Sequence, residues 1–279
     1  DVGAYLVAHP EVDKVAFTGS SAAGKKIMAA CADRIARVTL ELGGKSAAII
    51  LDDADIDAVI PALLPMALLV NGQACIAQTR LLVPRVMEAR FVEAVAEALR
   101  AQRVGDPMDA DTTIGPLVSR RQRDRVEGYI SLGREEGARV VVGGSRPVLP
   151  GELAHGWFVA PTLLADVHNG MRVAREEIFG PVLAVIPYET DEEAVAIAND
   201  SPYGLSGSVW SRDEERALAV ARRIRTGMVS INGRPQAFGS PFGGYKQSGV
   251  GREMGPEGFR IYLETKSIAV RPGTSGERA

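Results

Sequence analysis

Short apolar runs alternate along the chain with longer segments in which apolar residues recur every three or four positions. Such runs are typical of buried strands, and the periodic segments are typical of helices that pack against a sheet. The alternation therefore predicts an α/β fold with a mostly parallel sheet. The runs that predict strands are residues 15–17, 47–51, 80–83, 140–142, 182–186, 208–210 and 228–231.

Several of the intervening segments carry signals for the start of a helix. Thr190 with Glu193, and Ser211 with Glu214, have the spacing of a capping box. Residues 85–100 place an apolar side chain at every fourth position, which predicts a helix with one buried face. Near the end of the chain, residues 266–271 predict a short strand that pairs with another sheet edge.

Composition and charge exclude several classes of protein. The chain has 279 residues, of which 46% are hydrophobic and 24% charged, as in ordinary globular proteins. Its net charge of -3 provides no basic surface for nucleic acid or for an anionic membrane. The most apolar stretch, residues 58–70, is too short to span a bilayer, and no secretory signal is visible, so we expect a cytoplasmic protein.

A strand–turn–helix pattern over residues 15–26 has the form of an anion-binding site. The turn contains Gly19 and Ser20, and such a turn directs backbone N–H groups and a helix N-terminus at a phosphate. The interval from Gly19 to Lys25 also has the spacing of a nucleotide triphosphatase phosphate loop, although Lys26 stands where a magnesium-binding hydroxyl is needed. Both interpretations are open from the pattern alone.

Two residues are candidates for covalent catalysis. Glu41 follows an apolar run and precedes paired glycines, so its carboxylate is either a general base on rigid backbone or a surface acid in a turn. Cys75 follows a Gly-Gln turn, which leaves its sulfur accessible as a thiolate nucleophile. Cys31 instead lies on the apolar face of a predicted helix and is expected in the core. The histidines form no metal-binding spacing, so no metal site is predicted.

Taken together, these stretches resemble the NAD(P)-dependent aldehyde dehydrogenases, in the order that the family has them. The resemblance extends over nearly the whole chain, displaces the triphosphatase interpretation, and corresponds to the C-terminal half of such an enzyme, with its catalytic domain. The segments that carry it are Phe-Thr-Gly-Ser at 17–20, Glu-Leu-Gly-Gly-Lys-Ser at 41–46, Gly-Gln-Ala-Cys at 72–75, Glu-Ile-Phe-Gly-Pro-Val at 177–182 and Pro-Phe-Gly-Gly-Tyr-Lys at 241–246.

The resemblance implies an aldehyde dehydrogenase-like catalytic domain with a mostly parallel sheet and a partial Rossmann-like cofactor domain. It implies three regions: a remnant of the dinucleotide-binding domain over 1–43, a catalytic domain over 44–245, and a closing segment with an oligomerisation strand over 246–279. A homodimer or homotetramer is expected. The family's side-chain oxyanion donor, an asparagine, would lie in the half that is not represented.

The resemblance also implies the chemistry. Cys75 would attack a small-molecule aldehyde, NAD or NADP would accept a hydride, and Glu41 would activate the water that hydrolyses the thioester to a carboxylic acid. Phe242 would line the aldehyde tunnel. The residues implied for the cofactor are Gly19 and Ser20 at the pyrophosphate, Leu42 at the nicotinamide, Glu177 at its ribose and Phe179 near its ring.

Further roles and two alternatives accompany this interpretation. Glu253 is implied in proton exit, and an ion network is implied for Arg37, Arg252 and Glu264. One alternative is a truncated, non-catalytic paralogue that acts as an oligomerisation module. The other is a cofactor-independent thiol esterase, because the acyl-enzyme half-reaction requires no hydride acceptor.

Overall fold

The computed structural model describes residues 2–271, and in this part of the chain the strands form two sheets. The strands are β1 (Lys14–Thr18), β2 (Arg37–Glu41), β3 (Ala47–Ile50), β4 (Arg80–Pro84), β5 (Arg139–Val142), β6 (Thr162–Ala165), β7 (Val182–Tyr188), β8 (Gly207–Trp210), β9 (Ser230–Ile231) and β10 (Gly249–Val250). The helices are α1 (Val2–Ala8), α2 (Ser21–Ala32), α3 (Ile56–Ala67), α4 (Glu88–Arg100), α5 (Arg120–Glu135), α6 (Arg172–Arg175), α7 (Asp191–Asn199), α8 (Glu214–Ala221) and α9 (Gly255–Arg260).

The larger sheet has seven strands in the order β5-β6-β7-β4-β3-β8-β9. Every neighbouring pair is parallel except β5 with β6, which is antiparallel. Parallel strands require crossover connections, and helices supply most of them here. The predicted α/β fold with a mostly parallel sheet is therefore confirmed.

The smaller sheet has three strands in the order β1-β2-β10. Strands β1 and β2 are parallel and pair Thr18 with Glu41, whereas β10 runs antiparallel to β2 and pairs Gly249 with Glu41. Residues that are 208 positions apart in sequence are thus neighbours at the end of β2. This pairing brings the segment after residue 240 next to Glu41.

Apolar side chains fill both faces of the larger sheet. Alternate residues of a strand point to opposite faces, so Ile49 joins one buried cluster and Ile50 joins the other. Helices α5, α7 and α8 cover the first face, and α3 with α4 cover the second. The result is a three-layer α/β/α unit whose central strands are almost completely buried.

Most of the predicted elements are present. Each of the seven apolar runs lies in or overlaps a strand, and the residues 85–100 form a 3-10 turn followed by α4. Strands β6 and β10 were not predicted. The two-residue strand β10 is defined only by its pairing with β2. Thr190 caps α7 as predicted, since its hydroxyl accepts the N–H of Glu193.

The capping box at Ser211 is wrong. Asp213 caps α8, where its carboxylate accepts the N–H groups of Glu215 and Arg216. The Ser211 hydroxyl instead donates to the carboxylate of Asp53, which follows β3 in the neighbouring connection. A tertiary partner therefore displaces the local capping interaction that the spacing predicts.

The predicted strand over residues 266–271 does not form within the described chain, where residues 264–271 are exposed and irregular. Its pairing with a sheet edge of another subunit stays a prediction. Residues 272–279 of the predicted closing segment lie outside the described residues. The three domain boundaries and the oligomeric state stay predictions.

The core gives a direct stability test at Phe91, which α4 buries completely against the second face of the sheet. We expect Phe91→Ala to lower the free energy of unfolding by about 3–5 kcal/mol, because the truncation leaves a cavity that the packed layers cannot close. Val86 is 88% exposed, so Val86→Ala serves as the matched control and is expected to change stability by less than about 0.5 kcal/mol. Urea denaturation measures both, and equal losses would contradict this description of the core.

Candidate active site

Glu41 ends β2 at the point where the chain leaves the smaller sheet. Its backbone is fixed on both sides, since its carbonyl accepts the N–H of Gly19 at 3.0 Å and β10 pairs with it from the other edge. The following residue, Leu42, donates its N–H to the carbonyl of Ser248 at 2.9 Å. The carboxylate of Glu41 is therefore held on rigid backbone, as the sequence predicts, and it is not a surface acid.

The Glu41 side chain is 3% exposed, and neither carboxylate oxygen has a hydrogen-bond partner among the described residues. Burial, and to a lesser extent the negative charge of Glu253, raise the pKa of Glu41 to about 8 against the opposing charge of Arg252. A carboxyl group with a pKa near neutrality is suited to general base catalysis. The unpartnered oxygens leave it free to accept a proton from water or a substrate group.

Cys75 lies in an irregular turn between α3 and β4, and two side chains of that turn anchor it to a neighbouring loop. The amide of Asn71 accepts the N–H of Gly115 at 3.0 Å and donates to the carbonyl of Pro116 at 3.1 Å. Gln73 accepts the N–H of Val118 at 3.0 Å. These contacts hold the Cys75 turn against the loop that contains residues 115–118.

The Cys75 thiol is half-buried and close to two carboxylates. Burial raises the pKa of this thiol, and the charges of Glu177 and Glu41 raise it as well. The backbone N–H groups of Cys75 and Ile76 lower it, because they favour the thiolate form. Cys31, by contrast, is 1% exposed in α2, which confirms its expected place in the core.

The Gly43–Gly44 turn joins these groups. Gly44 donates its N–H to Oε1 of Glu177 at 3.0 Å. A Cβ atom at Gly43 would clash with the Glu177 carboxylate, and one at Gly44 would clash with the carbonyl oxygen of Cys75. Only glycine allows the backbone to pass this close to both, so the turn packs Glu41, Cys75 and Glu177 around one point.

The segments implied for the cofactor also lie around this point. Gly19 and Ser20 are exposed at the N-terminus of α2, where the Ser20 hydroxyl accepts the N–H of Ala23. Leu42 is buried against α2. An exposed helix N-terminus after a strand is suited to a pyrophosphate, so this part of the chain fits a dinucleotide.

The two predicted aromatic residues are placed differently. Phe179 adopts a left-handed backbone conformation with φ 63°, and Gln122 fixes it by donating to its carbonyl at 2.7 Å. A non-glycine residue in this conformation is strained, which is common at ligand sites. Phe242 is half-buried and its backbone exchanges two hydrogen bonds with Glu253, each of 2.7 Å.

The remaining predicted roles are met in part. Arg37 and Glu264 form an exposed ion pair at 2.7 Å. Arg252 does not join it, because its guanidinium donates to the carbonyls of Gly244 and Gly251 and lies over the ring of Tyr245. The three-residue network is therefore wrong as predicted, since Arg252 belongs to the loop beside Glu41.

Sequence analysis missed Lys45, which is 2% exposed and directly follows the Gly43–Gly44 turn. Its Nζ atom has no hydrogen-bond partner among the described residues. Burial, and to a lesser extent the positive charge of Arg80, lower the pKa of Lys45 to about 7 against the opposing charge of Glu177. The lysine stands in the quoted Glu-Leu-Gly-Gly-Lys-Ser stretch, but nothing in that pattern indicates whether its side chain is buried.

Residues 2–271 contain neither a candidate metal site nor a helix that could cross a membrane. No group of His, Cys, Asp and Glu side chains in this range could hold a metal ion. None of the described helices has the length and apolar character needed to cross a membrane.

Comparisons with known proteins agree with this fold and with a site in which a buried carboxylate and a thiol flank a Gly-Gly turn. The chain belongs to the aldehyde dehydrogenase family, whose model matches residues 1–268. It is 54% identical to geranial dehydrogenase of Castellaniella defragrans and 50% identical to 3-succinoylsemialdehyde-pyridine dehydrogenase of a Pseudomonas species. Both matches cover 96% of this chain. They cover 55% of the geranial dehydrogenase and 56% of the 3-succinoylsemialdehyde-pyridine dehydrogenase.

Solved structures agree with this assignment. An aldehyde dehydrogenase of Mycobacterium tuberculosis in complex with NAD+ superposes with a TM-score of 0.93 at 50% identity, covering 97% of this chain and 55% of that one. Aldehyde dehydrogenase C of Pseudomonas syringae, a mutant in complex with NAD+ and octanal, superposes with a TM-score of 0.92 at 45% identity, covering 96% and 55%. The chain thus spans about half the length of these relatives.

The raised pKa of Glu41 predicts a pH dependence of stability. In the unfolded chain this group titrates near 4.5 and in the folded chain near 8, so the folded state holds the extra proton between these values. The free energy of unfolding therefore falls as pH rises through this interval, by at most about 1.4 kcal/mol per pH unit.

We expect Glu41→Gln to remove this decline, as measured by urea denaturation between about pH 5 and pH 8. Glu257 is exposed, so Glu257→Gln is the matched control and should keep the slope of the parent protein. An unchanged slope in Glu41→Gln would show that the buried carboxyl does not titrate in this range.

Proposed function

We propose that this chain carries the catalytic half of an NAD(P)+-dependent aldehyde dehydrogenase, which oxidises an aldehyde to a carboxylic acid through Cys75. We further propose that it corresponds to the C-terminal half of the longer relatives. The observation that carries the function is the meeting of Cys75, Glu41 and Glu177 at the Gly43–Gly44 turn. Family membership and the NAD+ complexes of similar structures support it.

In this mechanism the Cys75 thiolate forms a bond to the aldehyde carbon, and the carbonyl π-electrons move to oxygen. The resulting oxyanion needs hydrogen-bond donors, and the backbone N–H groups of Cys75 and Ile76 are the donors that lie at the sulfur. Because burial and two carboxylates raise the pKa of the thiol, the thiolate fraction increases with pH.

The cofactor would supply the hydride acceptor. Gly19 and Ser20 would hold its pyrophosphate at the N-terminus of α2, and Leu42 would contact the nicotinamide. Glu177 would bind the nicotinamide ribose with the carboxylate that Gly44 orients, and Phe179 would pack near the ring. The choice between NAD and NADP is left open by these residues.

Glu41 would act in the second half of the reaction. Its buried carboxylate would accept a proton from water, and the resulting hydroxide would attack the acyl carbon on Cys75 and release the carboxylic acid with the thiolate. A pKa of about 8 leaves part of the group ionised near neutral pH and makes it a stronger base than an exposed glutamate.

We propose an aldehyde with an apolar chain as the substrate. Phe242 is half-buried in the loop that pairs with Glu253, and it provides an apolar wall. One relative is named for geranial, and a similar structure holds octanal. Octanal is therefore the substrate with which to begin.

The central test is octanal-dependent formation of NADH or NADPH by the polypeptide that carries this chain. We expect Cys75→Ala to abolish turnover, because the nucleophile is removed, and Cys31→Ala to retain it, because that cysteine lies in α2 away from the site. Turnover that persists in Cys75→Ala would refute the mechanism.

Two further results would replace the proposal. A folded protein whose Cys75 thiol reacts with a thiol reagent but which forms no reduced cofactor would be a non-catalytic relative. A burst with an activated ester, without any aldehyde oxidation, would indicate a cofactor-independent thiol esterase.

The role of Glu41 has its own test. We expect Glu41→Gln to slow hydrolysis of the acyl group by about 10²–10⁴-fold, since the general base is lost, so that acyl-enzyme accumulates on Cys75. Intact-protein mass spectrometry after mixing with aldehyde and cofactor measures this species. The matched control is Glu257→Gln, and the absence of acyl-enzyme in Glu41→Gln would mean that another group activates water.

A further inference from the structure

Lys45 is a buried ammonium group for which the proposed mechanism has no use. Its side chain is 2% exposed and its Nζ atom has no hydrogen-bond partner among the described residues. An unpaired buried charge is strongly destabilising, so a lysine at this position is unfavourable unless its surroundings offset the lost hydration. Two features of the surroundings of Lys45 can offset this cost: a small cavity and the carboxylate of Glu177.

The first feature is a small cavity. Lys45 and Ser46 both line a cavity of about 10 Å³, and the Ser46 hydroxyl is also buried without a partner. This volume is close to the smallest that holds one water molecule. A water in this cavity would accept from the ammonium and from the hydroxyl, and it would solvate a charge that has no hydrogen-bond partner among the described residues.

The second feature is the Glu177 carboxylate. Its Oε1 atom accepts the N–H of Gly44, the residue directly before Lys45, and a Cβ at Gly43 would clash with it. The carboxylate thus lies against the backbone that carries Lys45. Burial raises the pKa of Glu177, and the Gly44 N–H and the positive charge of Lys45 oppose that rise by favouring the ionised form. The negative charge of Glu177 in turn favours the ammonium form of Lys45.

The other charges near the pair do not replace this interaction. Arg80 faces Lys45 and disfavours its ammonium form, while the guanidinium hydrogen-bonds the carbonyls of Lys45, Ile197 and Ala198 and the side chain of Asn169. Arg125 of α5 donates to the backbone carbonyl of Glu177 at 2.5 Å, and its positive charge also favours the ionised carboxylate. Lys45 differs from Arg125 in that it directly follows Gly44, the residue whose N–H binds the Glu177 carboxylate.

We propose that Lys45 is a positioning residue that holds the Glu177 carboxylate ionised and oriented against Gly44 for binding the nicotinamide ribose. The inference rests on the proposed function, because it takes Glu177 as the ribose ligand. It adds a residue to which the resemblance assigns no role. It also explains why a lysine is buried directly after the glycine turn.

The primary test requires neither cofactor nor activity. The chain has six lysines, so labelling them with ¹³C at the ε position gives few NMR signals, and Lys45→Arg identifies that of Lys45. We expect a titration midpoint near 7 in the parent protein. In Glu177→Gln the midpoint should fall, because the partner charge is lost, whereas the matched control Glu176→Gln should leave it unchanged. A midpoint that stays the same in folded Glu177→Gln would overturn the proposal.

If Glu177→Gln does not fold, the reciprocal measurement decides. With glutamate labelled at the carboxyl carbon, the Glu177 midpoint should rise in Lys45→Met, since the ammonium that favours its ionised form is removed. The exposed lysine Lys266 provides the control Lys266→Met. An unchanged Glu177 midpoint in Lys45→Met would refute the coupling.

Kinetics then separates positioning from a general loss of structure. We expect Lys45→Met to raise the KM for NAD+ about tenfold with kcat within about twofold, and Lys45→Arg to restore much of the loss. A KM equal to that of the parent would overturn the proposal, even where Cys75-dependent turnover supports the proposed function. The two hypotheses therefore fail separately.

Discussion

The close approach of the Gly43–Gly44 turn to two other segments is the constraint on which the site depends. Neither residue has room for a Cβ, because the Glu177 carboxylate and the Cys75 carbonyl lie against the backbone. The turn also leads from the smaller sheet into the larger one, since β2 ends at Glu41 and β3 begins at Ala47. A single tight crossing thus fixes the positions of a carboxylate, a thiol and a second carboxylate.

Burial at this crossing sets the chemistry of the ionisable groups. It raises the pKa of Glu41 and of Cys75 and lowers that of Lys45, because in each case it disfavours the charged form. Exposed ion pairs elsewhere, such as Arg37 with Glu264, are screened by solvent and contribute little. Three groups with shifted pKa values, Glu41, Lys45 and Cys75, therefore lie together where the two sheets meet, as expected for a functional site.

Much of the fold could be predicted because its signals are local. Apolar runs predict the central strands, since a strand buried on both faces must be apolar along its length. The cap at Thr190 is a local interaction and is confirmed, whereas the cap at Ser211 is wrong because Asp53, 158 positions away, binds the hydroxyl. Residues 266–271 form no strand within the described chain, and the sequence does not specify which sheet edge a strand there would join.

The sequence by itself determined the α/β class, the family resemblance and the candidate residues Cys75 and Glu41, because residue order and spacing are sufficient for these. Only the tertiary structure decided that β10 returns to flank Glu41 and that Lys45 is buried without a partner. It also decided that Arg252 lies beside Glu41 and does not pair with Glu264. These facts depend on contacts between distant segments and on burial, and burial is a property of the packed molecule that no single stretch of sequence contains.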